Sequence, residues 1–266
     1  MVVIFVLLLT FLMHFFSSAV LSARLVGVRT GKMAASYSIY NLVFLAIRFL
    51  NTFQAPLLAK TVEKSILNGG EPDNWLFFNL CMAAFLGSIF GGAFIPTMQR
   101  FMYEAVEKVY RNNSILKLLV QSFSFKTIRH FKSAVAVPSY SNINRLKRIS
   151  DLPMGVILMN VIVTAVSTIS VIACLYAGYL NPDLRTTCLS LSGVILGFST
   201  VVAMIVVEPH ISIIADKVVD GLYSEVYFRR YLILVVLARA IGTGLSFLLL
   251  IPMAHLVVFV AKLIYV

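Results

Sequence analysis

An all-α membrane fold with about six crossings is predicted by three features of the chain. Of its 266 residues, 60% are hydrophobic and 12% charged, too few polar groups to cover a soluble domain. The mean hydropathy is +0.93. Its apolar residues form unbroken runs of the roughly 20 residues that a helix needs to cross a hydrocarbon core of about 30 Å. Tilted barrel strands would instead show short alternating segments. One integral membrane domain is therefore expected over 1–266, a polytopic helical bundle.

The expected crossings are 2–23, 34–58, 75–97, 153–179, 187–208 and 231–253. The first begins MVVIF and is followed, not preceded, by Arg24, Arg29 and Lys32, so a retained helix is expected and not a cleaved signal. The third contains GSIFGGAFIP, whose Gly87 and Gly91 have the spacing that lets two helix backbones approach, within the chain or between subunits. Residues 98–152 form the one large non-spanning region, a basic amphipathic segment. Its first part places Phe101, Ala105, Val109, Leu116 and Leu119 on one helical face, and FSFKTIRHFK mixes Phe with cations as an element in the headgroup plane does. The apolar tail 254–266 is either the end of a sixth helix kinked at Pro252 or a separate short element. No internal repeat is visible, so an inverted-repeat transporter architecture is not expected.

Sixteen of the 22 Lys and Arg residues fall in 24–32, 98–152 and 209–230, against four on the other side. Cations in short loops stay in the cytoplasm, which places the long basic segment there and both termini outside. The net charge of +11 lies beside the crossings and suits anionic membrane lipids. Nucleic acid is not an expected partner, because no soluble reading module is present. Cys81, Cys174 and Cys188 are dispersed in or beside apolar runs and form neither a disulfide framework nor a metal knuckle.

The informative residues are the charges inside the runs. Arg48 stands about 14 residues from the cytoplasmic start of its helix, about 21 Å at 1.5 Å per residue and so near mid-membrane. Tyr37, Asn41, Arg48, Asn51 and Thr52 share a polar stripe, with Gln54 further round. A cation there costs about 3 kcal/mol on insertion scales and should face a partner or a wet cavity. Arg239 lies about 13 Å inward from Arg229 and Arg230. His14 is similarly deep, either a hydrogen-bonded packing residue or a proton carrier. Glu208 is the carboxylate embedded in apolar sequence, with Asp216 and Asp220 following, and it can neutralise one arginine and leave the other. The arrangement is then either a helix-ordering ion pair or a receptor for an anion, and phosphate is the anion that best fits a planar fork of donors.

Enzyme chemistry finds no support. Among His14, His130, His210 and His255 there is no HExxH zinc site, GVRTGKM lacks the spacing and final Ser/Thr of a P-loop, and no GxSxG turn occurs. No cofactor or metal is expected.

ARLVGVRTGKMAASYSIYNLVFLAIRFLNTFQAPLLAK (23–60) resembles the leading motif of the Amj family, bacterial lipid II flippases that serve as an alternative to the unrelated MurJ. EPHISIIADKVVDG (208–221) and LARAIGTGLSFLLLIP (237–252) resemble that family's later blocks. The resemblance implies a six-helix protein of the bacterial cytoplasmic membrane that moves lipid II, an undecaprenyl-pyrophosphate-linked disaccharide-pentapeptide, to the outer leaflet for cell-wall synthesis. The residues add an expected route. Arg24, Arg29 and Lys32 gather the pyrophosphate at the cytoplasmic mouth, Arg48 and Arg239 give it a mid-membrane stop, and Asn51 and Gln54 bond sugar or peptide. His14, Glu208 and Asp216 balance charge or carry protons. Two alternatives remain open, a flippase for another polyprenyl-linked anion and a non-transporting scaffold of the cell-wall machinery. A homodimer using the glycine face of residues 87–91 is also expected.

Overall fold

The computed structural model describes residues 2–112 and 151–264. FSFKTIRHFK, Leu116, Leu119 and the rest of 113–150 lie outside the described residues. Within them the chain forms α1 (Val2–Ala19), α2 (Leu21–Thr30), α3 (Met33–Leu67), α4 (Asn74–Ala93), α5 (Ile95–Asn112), α6 (Met154–Leu180), α7 (Arg185–Val202), α8 (Glu208–Val219) and α9 (Glu225–Ile264). Short 3-10 and π turns, Pro182–Leu184 and Ala203–Val207, flank α7. Six stretches are long and apolar enough to cross a membrane, with α1–α2 and α7–α8 each counting as one.

Helices outrun the expected crossings because hydropathy marks only the part in hydrocarbon, whereas backbone bonding continues into the headgroup layer. At 1.5 Å per residue the 35 residues of α3 reach about 52 Å. The tail after Pro252 continues α9 to Ile264, so it belongs to the sixth helix. The face of α5 is turned by about one residue from the expected one: Met98, Met102, Val106 and Val109 are buried, with Phe101 and Ala105 packed at the edge.

Two apolar cores stack along the bundle. One joins Leu21 and Leu25 to Ile39, Val106, Ile211 and Tyr231, and the other joins Val6 to Leu58, Leu80, Ile169, Cys174 and Val257. Helices α1, α3, α6 and α9 run through both, and buried polar residues such as Thr10, Gln54, Thr168, Arg239 and Thr243 fall between the two. Helix α4 approaches α1 closely, and a Cβ on Gly87 or Gly91 would strike the carbonyl oxygens of Phe11 or Phe15. The glycine face assigned to a second subunit is therefore covered by α1 of the same chain. Gly91→Leu is expected to destabilise the bundle by about 1–3 kcal/mol through overpacking, seen as a lower melting temperature and loss of the monodisperse peak in detergent.

Candidate functional site

Gly31, at φ 67°, closes the turn between α2 and α3 in a backbone conformation that L side chains rarely adopt. The two helices then run side by side, and the Arg24 guanidinium lies over the rings of Tyr37 and Tyr40 at 4.2 and 4.4 Å. Arg24 is 1% exposed. Its Nη2 donates to Glu208 Oε2 at 2.6 Å and its Nη1 to Ser212 Oγ at 3.0 Å. Tyr40 donates its hydroxyl to Glu208 Oε1 at 2.6 Å. Arg239 completes the cluster: Nη2 lies 4.0 Å from Glu208 Oε1 and donates to the Tyr40 hydroxyl at 3.4 Å, while Nη1 donates to the Ser17 carbonyl. One carboxylate thus ties α2, α3, α8 and α9 together.

Glu208 owes its position to Pro209. A proline has no N–H to donate four residues back, and its ring crowds the carbonyl it would face, so a regular α ladder does not pass through it. The chain widens into the π turn Ala203–Val207, and the Glu208 N–H bonds back to Ala203, five residues away.

Next to this cluster, between the two apolar cores, lies a chamber of about 170 Å³ bordered by α1, α3, α4, α6, α7, α8 and α9. Ten of its lining residues are Ser or Thr, and His14, Asn51, Gln54 and Asn160 line it as well. Gln54 donates to Thr10 Oγ1 at 2.6 Å, but its Oε1 and the buried Ser18 Oγ have no hydrogen-bond partner. His14 takes part in no hydrogen bond among the described residues and lies in the field of Arg239. Such polar density between apolar layers is costly in a chain of this hydropathy unless it meets a polar partner or water.

Arg48 sits at the chamber's rim. Its Nη2 donates to Thr200 Oγ1 of α7 at 2.6 Å, and its guanidinium lies 4.8 Å from the Phe44 ring. Of the three deep arginines it is the one with no carboxylate within ion-pair distance among the described residues. Three guanidinium groups face one carboxylate, a surplus of two formal positive charges.

The site brings together Arg48, Asn51, Gln54, Arg239, His14 and Glu208 from the sequence reading. It separates the others. Arg24, expected at a cytoplasmic mouth, is instead buried as the main partner of Glu208, because the turn at Gly31 folds α2 back over α3. Arg29 lies at the surface and bonds Glu225 at 2.8 Å and Gln99 at 3.0 Å, and Lys32 pairs with Glu107. Asp216 is exposed on α8. The sequence reading missed the hydroxyl lining and Tyr40. Spacing held a signal for Tyr40, since Tyr37, Tyr40, Phe44 and Arg48 follow one another by three or four residues and face one way on α3. No cluster of three His, Cys, Asp or Glu suited to a metal occurs among the described residues.

Fold and site together define a polytopic membrane protein with a polar, arginine-bordered chamber between its two apolar cores. The chain belongs to the Amj family, described as alternate to MurJ, whose profile matches residues 9–261. It is similar to the lipid II flippase Amj of Bacillus subtilis (strain 168), 27% identical over 264 residues that cover 98% of this chain and 97% of that protein. No solved structure matches it.

Proposed function

We propose that this protein is a flippase that carries lipid II from the inner to the outer leaflet of the bacterial cytoplasmic membrane. The observation that carries the reading is Arg48, a deep guanidinium with one hydroxyl partner and no carboxylate among the described residues, beside a chamber rich in hydroxyls. A pyrophosphate that links a lipid to a sugar bears two negative charges, equal and opposite to the site's two positive ones. Planar guanidinium donors bind such an anion bidentately, and in a low-dielectric setting the match is worth far more than in water. Arg239, already held by Ser17 and Tyr40, offers a second fork, and Asn51, Gln54 and the hydroxyls suit sugar and peptide. The similarity to a protein named as a lipid II flippase supports the same assignment.

Orientation follows the cations. With the α2–α3 turn, α5 and the start of α9 in the cytoplasm, Arg29, Lys32 and Arg229 stand where anionic headgroups gather, and both termini lie outside. Arg29 and Lys32 then form the approach to the chamber, with Arg24 as an internal clamp. A chamber of about 170 Å³ suits a pyrophosphate better than a disaccharide-pentapeptide. That size favours one second reading, transport of a smaller polyprenyl phosphate.

Purified protein in liposomes with fluorescent lipid II tests the assignment. Protected headgroups should become accessible to an external quencher, and unlabelled lipid II should compete better than undecaprenyl phosphate. The reverse order of competition would select the smaller lipid. Absence of any flipping by folded protein would remove the transport reading and leave the scaffold.

A further inference from the structure

We propose that the isoprenoid chain of the transported lipid lies in a slot between α3 and α7, over Gly193 and Gly197, while its phosphate end is held at Arg48. The inference rests on the flippase reading and adds to it the place where the tail leaves the protein.

Helix α3 packs on α1, α2, α5 and α6, and α7 packs on α6 and α9, but the two do not pack closely on each other. The hydrogen bond from Arg48 to Thr200 bridges the gap. Inside the bridge is the chamber, with the unpartnered Oε1 of Gln54, a residue 5% exposed, lining it. Outside the bridge the surface is apolar. Leu45 is 66% exposed on α3, and Val194 and Val201 are 65% and 54% exposed on α7.

At about 100° per residue, Gly193 and Gly197 fall between the chamber-facing Leu196 and Thr200 and the outward Val194 and Val201. A Cβ added to either glycine would meet no atom within 4 Å. This sets them apart from Gly87 and Gly91, which are filled by α1. Glycine is a poor helix former, and a Cβ at these two would touch no described residue; what they provide is a trough along α7 at the rim of the chamber. A molecule that is anionic at one end and a long hydrocarbon at the other fits that junction. Its charge meets Arg48, its sugars meet the hydroxyls, and its chain stays in lipid along the trough.

Because both glycines face open space, they can be enlarged without a clash. The double variant Gly193→Leu, Gly197→Leu should elute and melt like the wild type yet flip fluorescent lipid II slower by about tenfold or more, the effect of losing roughly one strong contact in the transition state. Gly155→Leu, an equally open position at the start of α6, should flip at the wild-type rate. Wild-type flipping by the double variant would overturn the slot. So would a shift from dimer to monomer on enlarging the glycines, which would make this face a contact between two copies.

If the wild type itself does not flip lipid II, the headgroup assignment fails and the slot is tested separately. A polyprenyl diphosphate carrying a diazirine on its first isoprene unit should label residues 44–54 and 193–201 above the background of a diazirine-bearing phosphatidylcholine. Equal labelling by the two probes would overturn the slot whatever the headgroup.

Discussion

Arg48→Ala is expected to abolish lipid II flipping in liposomes while the protein keeps its yield, elution and melting temperature. The two halves of this result have separate causes. The side chain is half-buried and has one hydrogen-bond partner, Thr200, whose hydroxyl also bonds the Leu196 carbonyl, so removal strands no carboxylate. A charge-assisted hydrogen bond to substrate is worth about 1.5–3 kcal/mol in ordinary settings, and the loss of two parallel bonds in a membrane chamber exceeds that. A fall of at least about a hundredfold follows from 3 kcal/mol. Arg48→Lys separates carrier from scaffold. An ammonium keeps the charge and loses the fork, so a pyrophosphate site should weaken markedly while a structural bridge to Thr200 should survive. Normal flipping by the alanine variant would remove Arg48 from the route.

Glu208→Ala should have the opposite signature, with little folded protein recovered. The carboxylate accepts from Arg24 and Tyr40 and faces Arg239, and Arg24 is almost wholly enclosed. Removing the carboxylate leaves two guanidinium groups close together in the bundle, and breaking a buried pair in this way costs about 3–5 kcal/mol. Stacking of Arg24 over Tyr37 and Tyr40 is already present with the carboxylate in place, so it offsets none of that loss. Expression with a fluorescent C-terminal fusion and chromatography in mild detergent should show aggregated or degraded protein. A monodisperse Glu208→Ala variant that lacks only flipping would instead make Glu208 a transport residue and not a clamp.

The six crossings were legible because a bilayer imposes one strong condition, about 20 apolar residues in a row, and the chain meets it six times. Arg48, Arg239 and Glu208 were legible for the converse reason, as charges that violate the pattern. Arg24 was misplaced because hydropathy sees a cation after an apolar run and takes the run to end there; that α2 folds back on α3 depends on Gly31 and on rings thirteen and sixteen residues away. The chamber lining stayed hidden for a different reason. Serine and threonine satisfy their hydroxyls on their own helix, as Thr168 does on Thr164 and Thr200 on Leu196, so they sit in apolar runs without disturbing hydropathy. Only assembly shows that these hydroxyls face one space. The GxxxG spacing at Gly87 and Gly91 correctly announced a close helix contact but could not say with which helix. Pro209 interrupts the α ladder, and the π turn is the form that interruption takes.

The charge count of the chamber has an electrical consequence. On the proposed reading, a doubly charged diphosphate would neutralise the site's two surplus formal charges, so the voltage across a bacterial membrane would act on the vacant carrier more than on the loaded one. A potential of 100 mV, negative inside, is worth about 2.3 kcal/mol for each charge that crosses it fully. A vacant site moving through that field would be drawn toward the cytoplasm, where on the proposed reading the next substrate waits, while the loaded site would face outward unopposed. Directional turnover in that scheme would need neither nucleotide nor proton, because the resting potential would reset the carrier.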